Sequence, residues 1–166
     1  RYIIIDANYP PLVNPSALGP AWLVRHVTPA ESPSDEIGLL GSVDLSRSAI
    51  IGADFSEGMG RDMATLPDGI GEEDYIEMVS YSPNELHYRY STQVNRLAVF
   101  SEIYYPNGWT AYVLNGDEKI PIQIMRADWT LRAAMLPAGE NELVMRFAPE
   151  SYRTGANISL ACSILL

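Results

Sequence analysis

The chain has 166 residues, and its 21 acidic against 11 basic side chains give a formal net charge of −10 at neutral pH. Hydrophobic residues make up 47% and charged residues 19%, which excludes a disordered chain and is enough for one hydrophobic core. The acidic balance also excludes a duplex-binding surface, because few basic side chains are available to neutralise phosphate, and we expect no nucleic-acid partner.

Residues 1–54 are predicted to form a small mixed α/β segment. Short apolar runs predict strands over 2–6, 21–27 and 48–51. A capping serine followed by two acids, at Ser34 to Glu36, predicts a short helix over 34–40. The proline-rich residues 9–20 predict an extended loop, because proline fixes φ and removes a backbone donor.

Residues 55–73 are predicted to form an acidic, glycine-rich linker. Residues 54–85 hold nine acidic side chains and one basic side chain, Arg61, so most of the net charge belongs to one segment. Calcium prefers oxygen ligands, and four side chains in this run are candidates for it: Asp68, Glu72, Glu73 and Asp74. Because the EF-hand spacing is missing and acidic runs are ordinarily solvated, we assign no metal site here.

Residues 74–157 are predicted to form an antiparallel β-sandwich of the jelly-roll or immunoglobulin-like kind, which makes the chain mainly β. Apolar and polar residues alternate with a period of two, as half-buried strands require, over 85–90, 119–124, 129–135 and 142–147. Turn residues separate these runs at intervals of roughly ten residues, a spacing typical of a sandwich.

Three local features refine this prediction. Residues 97–105 are apolar on both faces except at Ser101 and Glu102, which predicts a central strand. The dipeptide Asn115-Gly116 between two strands predicts a hairpin turn, since both residues tolerate positive φ. Pro121 lacks a backbone N–H, so its strand is predicted to lie at a sheet edge.

The two ends of the chain look truncated. Arg1 stands directly before a strand-like run, with no initiator Met and no signal peptide. Residues 158–166 are apolar and uncharged, which leaves two interpretations: a C-terminal core strand, or the start of a transmembrane helix in a longer protein, since a span needs about 20 such residues. Cys162 is the single cysteine, and we expect it to be a small buried hydrophobe without a disulfide partner.

No motif predicts catalysis. The two histidines, His26 and His87, lie in predicted strands and are not accompanied by a nucleophile motif. The Gly-x-Gly pairs at 58–60 and 69–71 lack the third glycine of a dinucleotide-binding loop. Nothing selects a carboxylate pair for glycoside hydrolysis, so a free-standing glycosidase is the least favoured function. We assign no catalytic residue and no cofactor.

Clustered aromatic residues are the remaining signal. Tyr104, Tyr105 and Trp109 surround one tight turn that also contains Asn107. Rings at the edge of a sandwich can stack on the apolar face of a sugar while a nearby amide bonds its hydroxyls, so these four residues are the candidate glycan-binding site. The alternative is that Trp109 and one tyrosine fold inward and close the end of the sandwich.

Several segments in order resemble the C-terminal extracytoplasmic domain of the YfhO family of bacterial membrane proteins, in the form found in Bacteroides-type bacteria. The segments are PLVNPSALGPAW at 11–22, YYPNGWTAY at 104–112, RADWTLRA at 126–133, LPAGENELV at 136–144, and FAPESY at 147–152 followed by Gly155. Each segment by itself is only a turn with hydrophobic flanks, and it is their order and spacing that carry the resemblance.

The resemblance implies a domain on the extracytoplasmic, periplasmic face of the bacterial inner membrane, joined to the membrane by flanking helices. The family is similar to membrane glycosyltransferases that use polyprenyl-phosphate-linked sugars, whose catalytic acid lies in loops near the first membrane helices, so no catalytic residue carries over. Envelope glycan is the implied candidate ligand. The alternative is a purely structural or protein-interaction β-sandwich without a ligand.

Overall fold

The computed structural model describes residues 2–55, 69–116 and 118–165. In chain order the elements are β1 (Tyr2–Ile3), β2 (Leu12–Val13), β3 (Ala21–Leu23), β4 (His26–Ala30), α1 (Pro33–Leu39), β5 (Ser48–Gly52), β6 (Tyr75–Ser82), β7 (Glu85–Thr92), β8 (Arg96–Ile103), β9 (Trp109–Asn115), β10 (Glu118–Ile122), β11 (Met125–Ala127), β12 (Leu131–Leu136), β13 (Gly139–Phe147) and α2 (Glu150–Leu165).

Two antiparallel sheets form a β-sandwich, which confirms the predicted mainly-β fold. One sheet has five strands in the order β10-β9-β13-β7-β6, and the other has four in the order β11-β12-β8-β3. Alternate residues of both sheets meet in one buried cluster, whose largest members are Tyr88, Tyr90, Phe100, Leu143 and Met145. The predicted alternation over 85–90 is confirmed, since Leu86, Tyr88 and Tyr90 are buried in this cluster.

The four-stranded sheet is buried on both faces. In β8, Ala98 and Phe100 point into the sandwich core, whereas Leu97 and Val99 belong to a second cluster on the opposite face. β8 lies between β12 and β3, so the predicted central strand is confirmed. The second cluster is completed by β5, through Ala49 and Ile51 among others, which adds a third layer outside the sandwich.

The first third of the chain builds this outer layer and also joins the sandwich. β3 pairs with β8 as an edge strand of the four-stranded sheet, so residues 1–54 do not stand apart. The predicted strand over 21–27 is divided, because the chain turns after Val24 and β4 pairs in parallel with β5 instead. Helix α1 connects β4 to β5. Its N-cap is Ser32 and not the predicted Ser34, because Ser32 Oγ accepts the Asp35 N–H at 3.2 Å.

The observed hairpins agree with those that the turn residues predict, but some strands begin at slightly different residues. Asn115 pairs with Glu118, so the loop begins at Gly116, whose φ is +60°. β10 is an edge strand, as Pro121 predicts. The predicted start of a strand at Trp129 is wrong: β12 begins at Leu131, and Trp129 lies in the turn that follows β11, a strand the alternation did not predict.

Both ends of the described chain lie outside the two buried clusters. β1 and β2 form a small hairpin whose residues are exposed. The core-strand interpretation of the C-terminal run is wrong, because Glu150–Leu165 form α2, which exposes Ile158, Leu160 and Ile164. The last strand of the sandwich predicted over 74–157 ends at Phe147, and the other interpretation, the start of a transmembrane helix, stays a prediction. Cys162 is exposed, so its predicted burial is wrong as well. No helix in the part of the chain that the structure describes is both long and apolar enough to cross a membrane.

Candidate functional site

The candidate glycan-binding residues lie in the aromatic loop, residues 104–109, which connects β8 to β9 at one end of the sandwich. The loop depends on Gly108, which has a φ of +90°. A Cβ at this position would lie 2.8 Å from Phe147 Cε2 and 2.9 Å from Pro149 Cβ, so no other residue fits without displacing them. The Gly108 carbonyl also accepts the Ala148 N–H at 2.7 Å, which fastens the loop to the end of β13.

The rings of the loop are exposed to different degrees. Tyr105 is 54% exposed, with its ring centroid 6.4 Å from that of Phe147. Tyr104 is half-buried and meets Phe55 edge to face at 5.6 Å. Trp109 is half-buried beside Phe147, at 5.4 Å, and packs against the sandwich core. The loop therefore combines two anchored rings with one that projects outward.

Arg132 in β12 stacks on one face of the Trp109 ring. Its guanidinium carbon lies 3.9 Å from the ring centroid, and its Nε donates to the Ile103 carbonyl at 3.0 Å. Burial lowers the pKa of Arg132, while nearby Glu102 raises it, and a guanidinium stays protonated under such conditions. A desolvated cation on an aromatic face stabilises by about 2 kcal/mol, so the Trp109 ring is fixed in place.

The three rings line one cleft. It has a volume of about 250 Å³ and is completed by Pro121 and Ile122 of β10 and by nearby Ile124. Asn107 is exposed in the same loop. Ligand sites for drug-sized molecules begin at about 300 Å³, so a cleft of this size suits a small unit such as a single sugar ring.

A second group of polar residues lies in the turn between β11 and β12, here called the Asp128 turn (residues 128–130). Asp128 and Trp129 have φ values of 49° and 70°, and left-handed backbone costs non-glycine residues about 1–2 kcal/mol each. Buried hydrogen bonds hold this conformation: Asp128 Oδ1 accepts the Ile50 N–H at 2.8 Å, and Glu36 Oε1 accepts the Trp129 N–H at 2.9 Å.

Glu36 and Asp128 are both buried carboxylates. Glu36 Oε2 also accepts a 2.9 Å hydrogen bond from Arg126 Nη2, which makes an ion pair between α1 and β11 in which Glu36 is buried and Arg126 is partly exposed. Burial raises the pKa of Asp128 to about 6. The hydrogen bond from the Ile50 N–H lowers this pKa, whereas the negative charge of Glu36 raises it further. Asp128 Oδ2 is buried and has no hydrogen-bond partner among the described residues.

Sequence reasoning did not find this second group. Glu36 is indistinguishable in sequence from an exposed acid in the first turn of a helix, and Trp129 follows the period of a strand. The one available signal is Asp128 between apolar stretches, where an acid is out of place unless it is paired. The partners come from α1 and β5, about 80 to 90 residues away along the chain.

Among the described residues, the acidic run does not form a metal site. Asp68 lies outside the described residues. The side chain of Asp74 is buried and already engaged, because its carboxylate accepts the N–H groups of Gly71 and Gln93 and lies 3.7 Å from Arg96 Nε. In the described ranges, no group of three or more His, Cys, Asp or Glu side chains is placed to hold a metal ion. Within the linker predicted over 55–73, residues 56–68 also lie outside the described residues.

Comparisons with protein-family models, with curated proteins and with solved structures find no match to this chain. Its function is therefore inferred from its own residues and their geometry.

Proposed function

We propose that the chain is a non-catalytic, glycan-binding β-sandwich domain on the extracytoplasmic face of the bacterial inner membrane, belonging to a YfhO-like polytopic membrane protein. The observation that carries glycan binding is the convergence of Tyr104, Tyr105 and Trp109 on one cleft, with Asn107 exposed in the same loop. The segments that resemble the YfhO family support the membrane context, and the resemblance places any glycosyltransferase chemistry elsewhere in such a protein.

The arrangement of the rings suits a sugar. A pyranose presents an apolar C–H face that packs on an aromatic ring, and its hydroxyls need donors and acceptors at the edge. Tyr105 offers an exposed ring, Trp109 offers the accessible part of a fixed ring, and Asn107 offers both a donor and an acceptor. A fixed ring favours binding because less conformational entropy is lost when the ligand is ordered against it.

Exposed apolar residues support contact with a further surface. Tyr2, Ile3, Ile4 and Ile5 are each about half exposed or more, and Ile158, Leu160 and Ile164 of α2 are exposed as well. Apolar surface of this kind marks protein or membrane contact sites. The same observation favours the second candidate, a protein-interaction module without a glycan ligand.

Titration with size-fractionated oligosaccharides from bacterial envelope polysaccharide, followed by ¹H–¹⁵N NMR, tests glycan binding. We expect the signals of residues 104–109 to shift, and Tyr105→Ala to weaken binding about tenfold, as loss of an exposed contact ring does. Tyr81→Ala is the control, because Tyr81 is 64% exposed in β6 and outside the cleft. Absence of shifts with every fraction would reject glycan binding and favour the interaction module.

A further inference from the structure

We propose that the glycan site continues past Tyr104 into a second cleft, in which Trp129 stacks on a further sugar unit, so that the preferred ligand is an oligosaccharide rather than a single sugar. This inference rests on the proposed glycan-binding function and names the substrate class of the same site.

Tyr104 is the wall that the two clefts share. On its other side lies a cleft of about 550 Å³, whose lining includes Asp54, Phe55, Arg126, Trp129 and Thr130. Tyr104 itself is held at this boundary by the edge-to-face contact with Phe55 and by its N–H, which donates to the Thr130 carbonyl at 2.7 Å. Because Tyr104 lines both clefts, a ligand longer than one sugar unit could contact Trp109 in the first cleft and Trp129 in the second.

The second cleft has the chemistry that sugar hydroxyls require. Asp54 is exposed and accepts hydrogen bonds, Thr130 both donates and accepts, and Arg126 donates from a side chain that is 24% exposed. Trp129 is half-buried, and the Arg126 guanidinium lies 5.4 Å from its ring centroid. An apolar platform with a few polar groups around it is the usual composition of a small-molecule site.

The backbone of the Asp128 turn does not require an indole at residue 129, although the Arg126 guanidinium lies 5.4 Å from the centroid of that ring. The bond to Glu36 uses the backbone N–H of Trp129, which any residue except proline would supply. The φ of 70° favours glycine there, because a side chain raises the cost of left-handed backbone. Contact with Arg126 is one role of this ring, and its position in the lining of a cleft next to the aromatic loop supports stacking on a ligand as a second role.

The chain contains three tryptophans, which makes the test direct. Trp109 lines the first cleft, Trp129 lines the second, and Trp22 lies away from both, where its Nε1 donates to the Leu45 carbonyl at 3.0 Å. Their indole N–H signals in a ¹H–¹⁵N spectrum of the whole chain are assigned with single Trp→Phe variants. The probes are β-linked glucose and N-acetylglucosamine oligomers of one to six units.

We expect single sugars to shift the Trp109 signal alone, and oligomers to shift the Trp109 and Trp129 signals together while Trp22 stays unmoved. Affinity should rise about tenfold or more between the single sugar and the longer oligomers. Trp129→Gly keeps the backbone N–H and relieves the positive φ, so it should keep the single-sugar affinity and lose the gain with length. Trp129→Asn, a second variant that tolerates left-handed backbone, should behave in the same way.

Each other outcome distinguishes the proposed glycan binding at the aromatic loop from its proposed continuation to Trp129. If all lengths bind with equal affinity and the Trp129 signal does not move, the second cleft is rejected while glycan binding stands. If Trp129 shifts without Trp109, both the aromatic loop as the site and the continuous site proposed here are rejected, and only a separate site at Trp129 remains. If neither these probes nor the envelope oligosaccharide fractions shift either signal, both proposals are rejected.

Discussion

The aromatic loop and the Asp128 turn lie at the same edge of the molecule, but opposite physical features fix their backbone conformations. The loop is shaped by the absence of a side chain, since Gly108 lets the backbone approach Phe147 and Pro149. The turn is shaped by buried charge, since Glu36 and Asp128 accept backbone N–H groups and hold two non-glycine residues at positive φ. The glycine-containing turn can be recognised in the sequence, although the residues that crowd Gly108 lie about 40 positions further along the chain. The hydrogen bonds of the Asp128 turn exist only once α1 and β5 have packed beside it.

Removal of Glu36 should have the largest effect. Glu36→Ala leaves the Trp129 N–H and the Arg126 guanidinium without their acceptor. Breaking a buried pair costs about 3–5 kcal/mol, and the partial exposure of Arg126 moderates this to about 3 kcal/mol. Urea unfolding measures the loss, with Glu31→Ala as the control because Glu31 is exposed. Equal stability of the two variants would show that the turn does not depend on the buried carboxylate.

Gly108→Ala should come next, with a loss of about 2–3 kcal/mol. The added Cβ meets Phe147 and Pro149 at less than 3 Å, and positive φ strains any residue with a side chain. Gly116→Ala is the matched control, since Gly116 also has positive φ but open space around it, and should cost only about 1 kcal/mol. If both variants lose the same amount in thermal or urea unfolding, close packing does not shape the aromatic loop.

The Asp128 turn should also respond to pH, by about 2 kcal/mol. Because the pKa of Asp128 is raised to about 6, the folded protein binds this proton more tightly than the unfolded chain does. The resulting stability is present at low pH and is lost as pH rises from about 4 through about 6. Asp128→Asn cannot ionise and keeps the oxygen that accepts from Ile50, so its stability relative to the parent chain should increase over that interval.

Urea unfolding of the two proteins at pH 4, 5, 6 and 7 measures this difference, and other titrating groups cancel because both chains contain them. A difference that is constant with pH would mean that the pKa of Asp128 is the same in the folded protein and in the unfolded chain, so that burial does not perturb this carboxyl.

The smallest stability effect should be that of Tyr105→Ala, less than about 0.5 kcal/mol, because the ring is mostly exposed. The same variant is expected to weaken glycan binding about tenfold, so a large change in affinity should accompany almost no change in the midpoint of unfolding. A loss above about 1 kcal/mol would instead assign Tyr105 to the packing of the loop against Phe147.

Much of the sandwich could be predicted because residues close together in the sequence carry the patterns that indicate its strands and turns. The period of two assigns a face to each residue of β7 without knowledge of its neighbours, and it places Leu86, Tyr88 and Tyr90 in the core. Apolar residues on both faces of β8 predict that something covers each face. The hairpin at Gly116 and the edge position of Pro121 follow from the conformations that those residues allow.

Pairing over long distances could not be predicted in this way. Nothing in residues 21–27 says that β3 pairs with β8 while β4 turns away to join β5 in parallel. The chain end shows the same limit, since an apolar run suits a strand and a helix equally, and its residues form the exposed helix α2.

The candidate site also has one part that local sequence signals predict and another part that depends on long-range contacts. The aromatic loop could be identified from its own six residues, because three rings and a glycine-containing turn are adjacent in the chain. Its continuation to Trp129, the stack of Arg132 on Trp109 and the burial of Glu36 depend on strands and a helix brought together from distant parts of the chain. Backbone conformation follows from neighbouring residues, whereas burial of a charge is decided by whatever packs over it, and only the folded molecule contains that information.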